Sequence, residues 1–256
     1  MKLHEITGRV PYGRHDIVWF RPVDLVNQEA IAARWTAWRA AYPGCRPKHV
    51  LLENEDKDPA TGKYIYPLSA MQADVPTVAR SFRYWRDTVA MVHAQLGDVL
   101  VAISDLPSPY LTGMYQAIQP GNRWGYTAPM AAANAAQVRL VEEFSSYNDP
   151  LIDWVCPSLY TQTDDPTETL EMARYTLAEA ERFGVPIIPA IMPQLNLPDK
   201  DQAKAFAWLS VEAWNILLAE ASRYTRAILY ITRRAEREPW PLLDSMRGRF
   251  GIEAGE

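Results

Sequence analysis

The chain is poor in the residues that announce most well-marked chemistries. Two cysteines in 256 residues, Cys45 and Cys156, are too few and too far apart for a disulfide framework or a thiolate zinc site. Four histidines, His4, His15, His49 and His93, show no metal spacing. No H-E-x-x-H, G-x-S-x-G, G-x-G-x-x-G or phosphate-loop pattern occurs, which removes the zincin, serine-hydrolase, dinucleotide and P-loop readings. No lysine stands at a strand end, as an aldolase-type mechanism needs. No apolar run approaches the roughly 20 residues that cross a bilayer, so no membrane partner is expected. The N-terminus lacks the apolar core of a secretory signal, so a cytoplasmic protein, or one released without a visible signal peptide, is expected. The formal net charge of -5 disfavours nucleic acid; Arg233, Arg234 and Arg237 cluster, but Glu236 and Glu238 stand among them.

Aromatics and proline are plentiful. Nine tryptophans and thirteen tyrosines accompany twenty prolines against twelve glycines, so many connections are stiff and aromatic-rich. With 48% hydrophobic residues the chain can bury a large core. Neither a linker nor a repeat interrupts it, and one domain over residues 1–256 is expected.

Strand-like and helix-like patterns alternate. Strands are expected at Ile17–Phe20, from Val50, at Val99–Asp105, Trp154–Tyr160, Val185–Met192 and Ala227–Thr232, with a further one within Lys2–Val10. Helices are expected over Glu29–Ala41, Thr77–Leu96, Ala131–Ser146 and Pro166–Phe183. A last one, over Ala203–Ala221, would be opened by Asp199 or Asp201. Ile31, Trp35 and Trp38, and then Phe82, Trp85, Val89 and Val92, form helical stripes. Gly97 and Gly184 stand where C-caps belong. Seven or so βα units predict an α/β chain folded as a TIM-like (β/α) barrel of seven or eight parallel strands. A doubly wound open sheet is the rival, and it usually carries a glycine-rich first turn.

Barrel active sites lie at the C-terminal strand ends. Val50-Leu51-Leu52-Glu53-Asn54-Glu55-Asp56 is an apolar strand that breaks into carboxylates. Strand alternation puts Glu53 and Glu55 on one side, roughly 6.5 to 7 Å apart along the backbone, and Asn54 on the other. One acid can then protonate a glycosidic oxygen while the other faces the sugar ring, and their repulsion raises one pKa into the proton-donor range. Glu55, nearer the mouth, is assigned as the acid and Glu53 as its charge partner. The plain alternative pairs Glu53 with an arginine and leaves Glu55 solvated. Asp56, Asp105, Tyr160, Gln162 and Gln194 follow as candidates for binding or orientation. Tyr64 and Tyr66 lie in one neighbouring loop, and Tyr110, Tyr115, Trp124 and Tyr126 in the next. As a group they favour a carbohydrate groove, although any one could equally cover the rim. Cys156, inside an apolar strand, reads as an inert core thiol.

The order of motifs resembles the hyaluronidase family and, more loosely, the chitinase-like and lysozyme-like barrels with a D-x-E strand end. Glu53-Asn54-Glu55 occupies the place of that pair. Pro157-Ser158-Leu159-Tyr160 is similar to the family's P-S-I-Y, and Val185-Pro186-Ile187-Ile188-Pro189 to its V-P-V-x-P strand. Ala227-Ile228-Leu229-Tyr230 stands where the last strand closes the barrel. The resemblance implies a distorted barrel and hydrolysis assisted by the substrate's N-acetyl group. Glu55 would be the donor, Glu53 would orient the acetamido group, and Tyr160 would touch the acetamido oxygen. Glu53 departs from the pattern, being one methylene longer than the family's Asp.

The expected protein is therefore a glycoside hydrolase acting on a polysaccharide or glycan, with no cofactor. Two alternatives stay open. One is a non-catalytic carbohydrate-binding barrel, structural or phage-associated. The other is a metal-dependent barrel hydrolase in which Glu53, Glu55, Asp56 and Asp105 hold Mg²⁺ or Ca²⁺.

Overall fold

The computed structural model describes residues 2–7, 17–43, 47–54, 57–69, 72–104, 106–107, 128–146, 150–195, 207–224 and 226–231, with 2–7, 128–130 and 226–231 described by their backbone. The described residues include seven strands and five α-helices, in the order β1 Lys2–Thr7, β2 Ile17–Phe20, α1 Gln28–Ala41, β3 His49–Leu52, α2 Val75–Leu96, β4 Leu100–Ile103, α3 Ala128–Phe144, β5 Ser158–Leu159, α4 Pro166–Glu181, β6 Ala190–Ile191, α5 Val211–Ala221 and β7 Arg226–Ile231.

All described strand pairings within the sheets are parallel, in two sheets of order β2-β3-β4 and β1-β7-β6-β5. Read end to end the two orders follow the chain, β2 to β7 and then β1. Two seams interrupt it. Between β4 and the segment leading into β5, Asp153 stitches the sheets: its N–H donates to the Val101 carbonyl at 2.7 Å. Its Oδ2 accepts the Val101 N–H, also at 2.7 Å. Across the other seam, no pairing joins β1 to β2 among the described residues.

Side chains alternate along each strand and so sort into two layers. Val18, Phe20, Val50, Leu52, Val101 and Ile103 pack outward against the helices, in one cluster with Trp38, Phe82, Trp85, Val89 and Trp214. Ile17, Leu51, Ala102, Trp154, Cys156, Ile188 and Ala190 form a second cluster containing strand-borne residues from both sheets and no helix residue, with Trp19 and Tyr160 packed against it. The inner faces of the two sheets therefore share one apolar interior.

The helices start where local chemistry predicts. Asp74 caps α2, accepting the Thr77 N–H at 2.9 Å, and Asp165 caps α4, accepting from Thr167 and Glu168. The expected stripe of α2 is buried in full, at Phe82, Trp85, Val89 and Val92. Gly97 has φ +75°, which a glycine adopts at no steric cost. The last helix differs from expectation. It begins at Val211, capped by the Ser210 hydroxyl on Ala213 N–H at 3.2 Å. Trp208 is extended and bridged antiparallel to Gln194. That pairing satisfies backbone groups around residues 207–209, which therefore do not join the helix. The strands at Trp154–Tyr160 and Val185–Met192 are also shorter than expected. They reduce to β5, β6 and an isolated parallel bridge between Val155 and Ile187, because Pro157, Pro186 and Pro189 have no N–H to give a ladder.

Candidate functional site

The ladder of β2, β3 and β4 runs past the strand ends. Glu53 N–H donates to the Phe20 carbonyl at 2.9 Å, and Ser104 N–H to the Leu52 carbonyl at 2.8 Å. Asn54 N–H then donates to Ser104 Oγ at 2.7 Å. Glu53 is thus held in strand register one step beyond β3. It has the parity of Leu51, so its Cα–Cβ bond is directed to the interior face, as Ser104's is above Ala102. Glu53 is half-buried, whereas Asn54, of the opposite parity, is only 1% exposed. The Asn54 side-chain nitrogen is buried without a hydrogen-bond partner.

The interior column of the β5 segment runs from Trp154 through Cys156 to Tyr160. Trp154 seals its lower end, donating its indole N–H to the Leu100 carbonyl at 3.1 Å and meeting His49 edge-on. Cys156 lies above it, and burial pushes its thiol up to about 12. Burial alone causes the shift, and the inert-core reading of Cys156 agrees with it. Tyr160 is partly buried at the C-terminal end of the same column. Gln162, two residues on, has both side-chain amide atoms buried and unpartnered. Gln194 is fully buried beside the Trp208 bridge.

Of the residues singled out from sequence, Glu53, Tyr160, Gln162 and Gln194 are described, each just past the end of a strand or of its segment. Glu55, Asp56, Asp105, Tyr110 and Trp124 lie outside the described residues, as do Tyr115 and Tyr126. Two of the loop aromatics have other employment. Tyr66 stacks face to face on Tyr84 of α2, with ring centroids 3.6 Å apart and planes 1° from parallel. Lys57 sits 4.8 Å above the Tyr64 ring, and the two residues are bridged antiparallel. Tyr66 thus packs its loop onto α2 and Tyr64 packs within the loop, as the rim-covering alternative has it.

Ser104 stands at a strand end as the sequence suggests, but sequence reasoning missed Trp19 as an interior-face neighbour of Glu53. The alternation of Ile17-Val18-Trp19-Phe20 against Val50-Leu51-Leu52-Glu53 holds that signal, but only once the register is known. A cavity of about 560 Å³, lined by Trp35, Thr36, Arg39, Ala40, Tyr42, Pro43 and Pro47, opens at the C-terminus of α1. The chain there is about to enter β3, so this cavity lies at the N-terminal end of the strands, opposite Glu53. Among the described residues no group of three or more His, Cys, Asp or Glu side chains could hold a metal ion. No helix among them is long and apolar enough to cross a membrane.

No protein-family model matches the chain, and no curated protein matches it by sequence. Solved structures do. The bee venom hyaluronidase structure matches with a TM-score of 0.55 over 91% of this chain and 84% of that one, at 10% identity. A Burkholderia cenocepacia protein described as a phosphonomutase matches over 91% of this chain and 65% of its own, at 13% identity and a TM-score of 0.37. The first likeness is one of fold; at the second score no shared topology follows.

Proposed function

We propose that this protein is a glycoside hydrolase, a closed (β/α) barrel forming one domain over residues 1–256, that cleaves a glycan at the C-terminal mouth of its strands. The observation that carries the reading is the position of Glu53. It is kept in register beyond β3 by the Phe20 carbonyl, on the interior face and half-buried, with Tyr160 ending another column of the same interior. The fold likeness to a hyaluronidase supports it. Closure of the ring would pair β1 with β2, the two strands left at the sheet edges.

In this mechanism Glu55, two residues further along the strand direction, protonates the glycosidic oxygen. Glu53 faces the sugar ring, orienting an N-acetyl group or stabilising the positive charge that develops at the anomeric carbon. A carboxylate at the edge of a dry interior acts with less solvent screening than one in open water. Tyr160 hydrogen-bonds the substrate next to that group. Asp56, Asp105, Tyr110, Trp124 and Gln162 bind hydroxyls and ring faces along the groove; Gln194, fully buried, is not in reach of substrate, and no cofactor takes part.

The test is a reducing-end assay over N-acetylated and non-acetylated oligosaccharides, with Glu55→Gln beside the wild type. Loss of the general acid lowers kcat by about 10²–10⁴-fold and leaves glycan binding intact. A wild type that cleaves nothing in the panel, or a Glu55→Gln protein as active as the wild type, overturns the proposal.

A further inference from the structure

The cavity of about 560 Å³ at the C-terminus of α1 lies at the end of the strands away from Glu53. Small-molecule pockets span about 300–1,000 Å³, and this one falls within that range. Two of its lining residues are aromatic, and both rings are buttressed. Trp35 stacks on Trp38, with centroids 6.2 Å apart and planes 19° from parallel. Tyr42 meets the same indole edge-on, at 5.3 Å. Trp38 is 2% exposed and belongs to the outer core cluster, against which Trp35 and Tyr42 also pack. The two walls are therefore fixed before a ligand arrives, which lowers the ordering cost of binding. Each is only partly buried and lines the cavity.

The charge at the cavity has one sign. Arg39, in the last turn of α1, lines it and is exposed, and no hydrogen bond or ion pair engages its side chain among the described residues. Arg34, earlier on the same helix, is by contrast committed: it donates to the Trp19 carbonyl at 3.3 Å and pairs with Asp24 at 3.7 Å. No acidic side chain is among the described lining residues, which add the Thr36 hydroxyl and two prolines, Pro43 and Pro47. A guanidinium without a carboxylate of its own, beside two held rings, matches an anion carried on a flat apolar body. The carbonyls that end α1 bring partial negative charge to the same place. One arginine therefore suits a single carboxylate better than a doubly charged phosphate.

We propose that this cavity binds a small aromatic carboxylate, with its ring packed against Trp35 and Tyr42 and its carboxylate paired with Arg39. The site is separate from the strand mouth and does not depend on the glycosidase reading.

The experiment titrates the full-length protein calorimetrically at low salt with indole-3-acetate, its neutral isostere indole-3-acetamide, and uridine 5′-monophosphate. Indole-3-acetate is expected to bind at least about tenfold more tightly than the amide, which cannot form the charge-assisted pair. Arg39→Gln should erase that preference without moving Tm, because the side chain is exposed and unpaired; Arg39→Lys should keep part of it. In protein labelled with 5-fluorotryptophan, the ¹⁹F line missing from Trp35→Phe identifies residue 35. That line should move when indole-3-acetate is added.

Absence of indole-3-acetate binding up to about 10 mM overturns the inference. So does equal binding of acid and amide, a preference that survives in Arg39→Gln, a Trp35 line indifferent to bound indole-3-acetate, or tighter binding of uridine 5′-monophosphate. Glycan cleavage is read in its own assay, so none of these outcomes touches the role of Glu55.

Discussion

Asp153→Ala should loosen the molecule at the seam between its two sheets. The Asp153 carboxylate accepts the Val101 N–H at 2.7 Å, and Val101 is fully buried in β4. Truncation leaves that N–H without an acceptor in an interior where water does not replace it. An orphaned buried donor costs about 1–3 kcal/mol, and a hydrogen bond to a charged acceptor contributes about 1.5–3 kcal/mol. These describe one loss from two sides, so they are not added. The Asp153 side chain is 18% exposed, which admits some solvent compensation, and about 2 kcal/mol is the expected cost. For a chain of this length that lowers Tm by about 4–8 °C. Asp153→Asn keeps a side-chain carbonyl in place and should lose less than half as much. His93 lies 3.8 Å from the same oxygen and is itself 28% exposed; its pair contributes under about 1 kcal/mol, so His93→Gln should be nearly silent. Thermal denaturation followed by circular dichroism gives the ranking, and hydrogen exchange should show the Val101 amide deprotected in Asp153→Ala. If Asn destabilises as much as Ala, or the Val101 amide exchanges no faster in Asp153→Ala, the stitch between the sheets is not the carboxylate.

Three further outcomes follow from the same geometry. In a Cys45→Ser protein, Cys156 should resist a thiol reagent at pH 8 until the chain unfolds, because burial holds its thiol up at about 12; rapid labelling of the native protein contradicts a dry interior. The Asp74 carboxyl at the start of α2 is held below its ordinary value, first by the Thr77 N–H and then by the Thr77 hydroxyl. A depressed native pKa gives stability that is full above the unfolded value near 4 and is lost as pH falls through the native one. The Tm gap between wild type and Asp74→Ala should therefore be widest near neutrality and shrink below about pH 4; a gap that is constant with pH refutes the cap as its source. Glu53→Asp withdraws the carboxylate by one methylene and, if Glu53 acts at the reacting centre, should cost about 100-fold in kcat; an unchanged rate means that its reach is not set by the substrate.

Most of the strand and helix order was legible because it is written in period and punctuation. The helix over Gln28–Ala41 starts within one residue of the position its pattern predicts, and β2 is found at the expected Ile17–Phe20. Val75–Leu96 is helical behind its Asp74 cap, and its apolar stripe faces the sheet as the spacing requires. What periodicity cannot register is competition from distant partners. Residues 207–210 read as helix by composition, yet the backbone of Leu195 and Pro193 offered them an antiparallel pairing, and α5 waited for Ser210. Tyr66 looked like a groove aromatic because its loop is polar, but Tyr84, one turn above Arg80 on α2, presented it with a parallel ring. Asp153 gave no sign of bridging two sheets, since a lone acid before an apolar run is an ordinary strand opening.

The same limit explains why the candidate site was half visible. An acid at the end of an apolar strand is a local feature, and alternation alone puts Glu53 on the face of Leu51. Which other side chains share that face depends on register, and register is set by hydrogen bonds between strands whose paired residues are 32 and 51 positions apart in the chain. Once Trp19, Leu51 and Ala102 are level, the layer above them contains Glu53 and Ser104 by necessity. A shift of β3 by one residue against its neighbours would turn the acid outward against the helices. There it would be buried beside Phe20 and Ile103 under the helix layer with its charge uncompensated. The apolar outward residues thus fix the orientation of the carboxylate: the packing that stabilises the helix layer is also what commits Glu53 to the interior, where a bound ring could meet it.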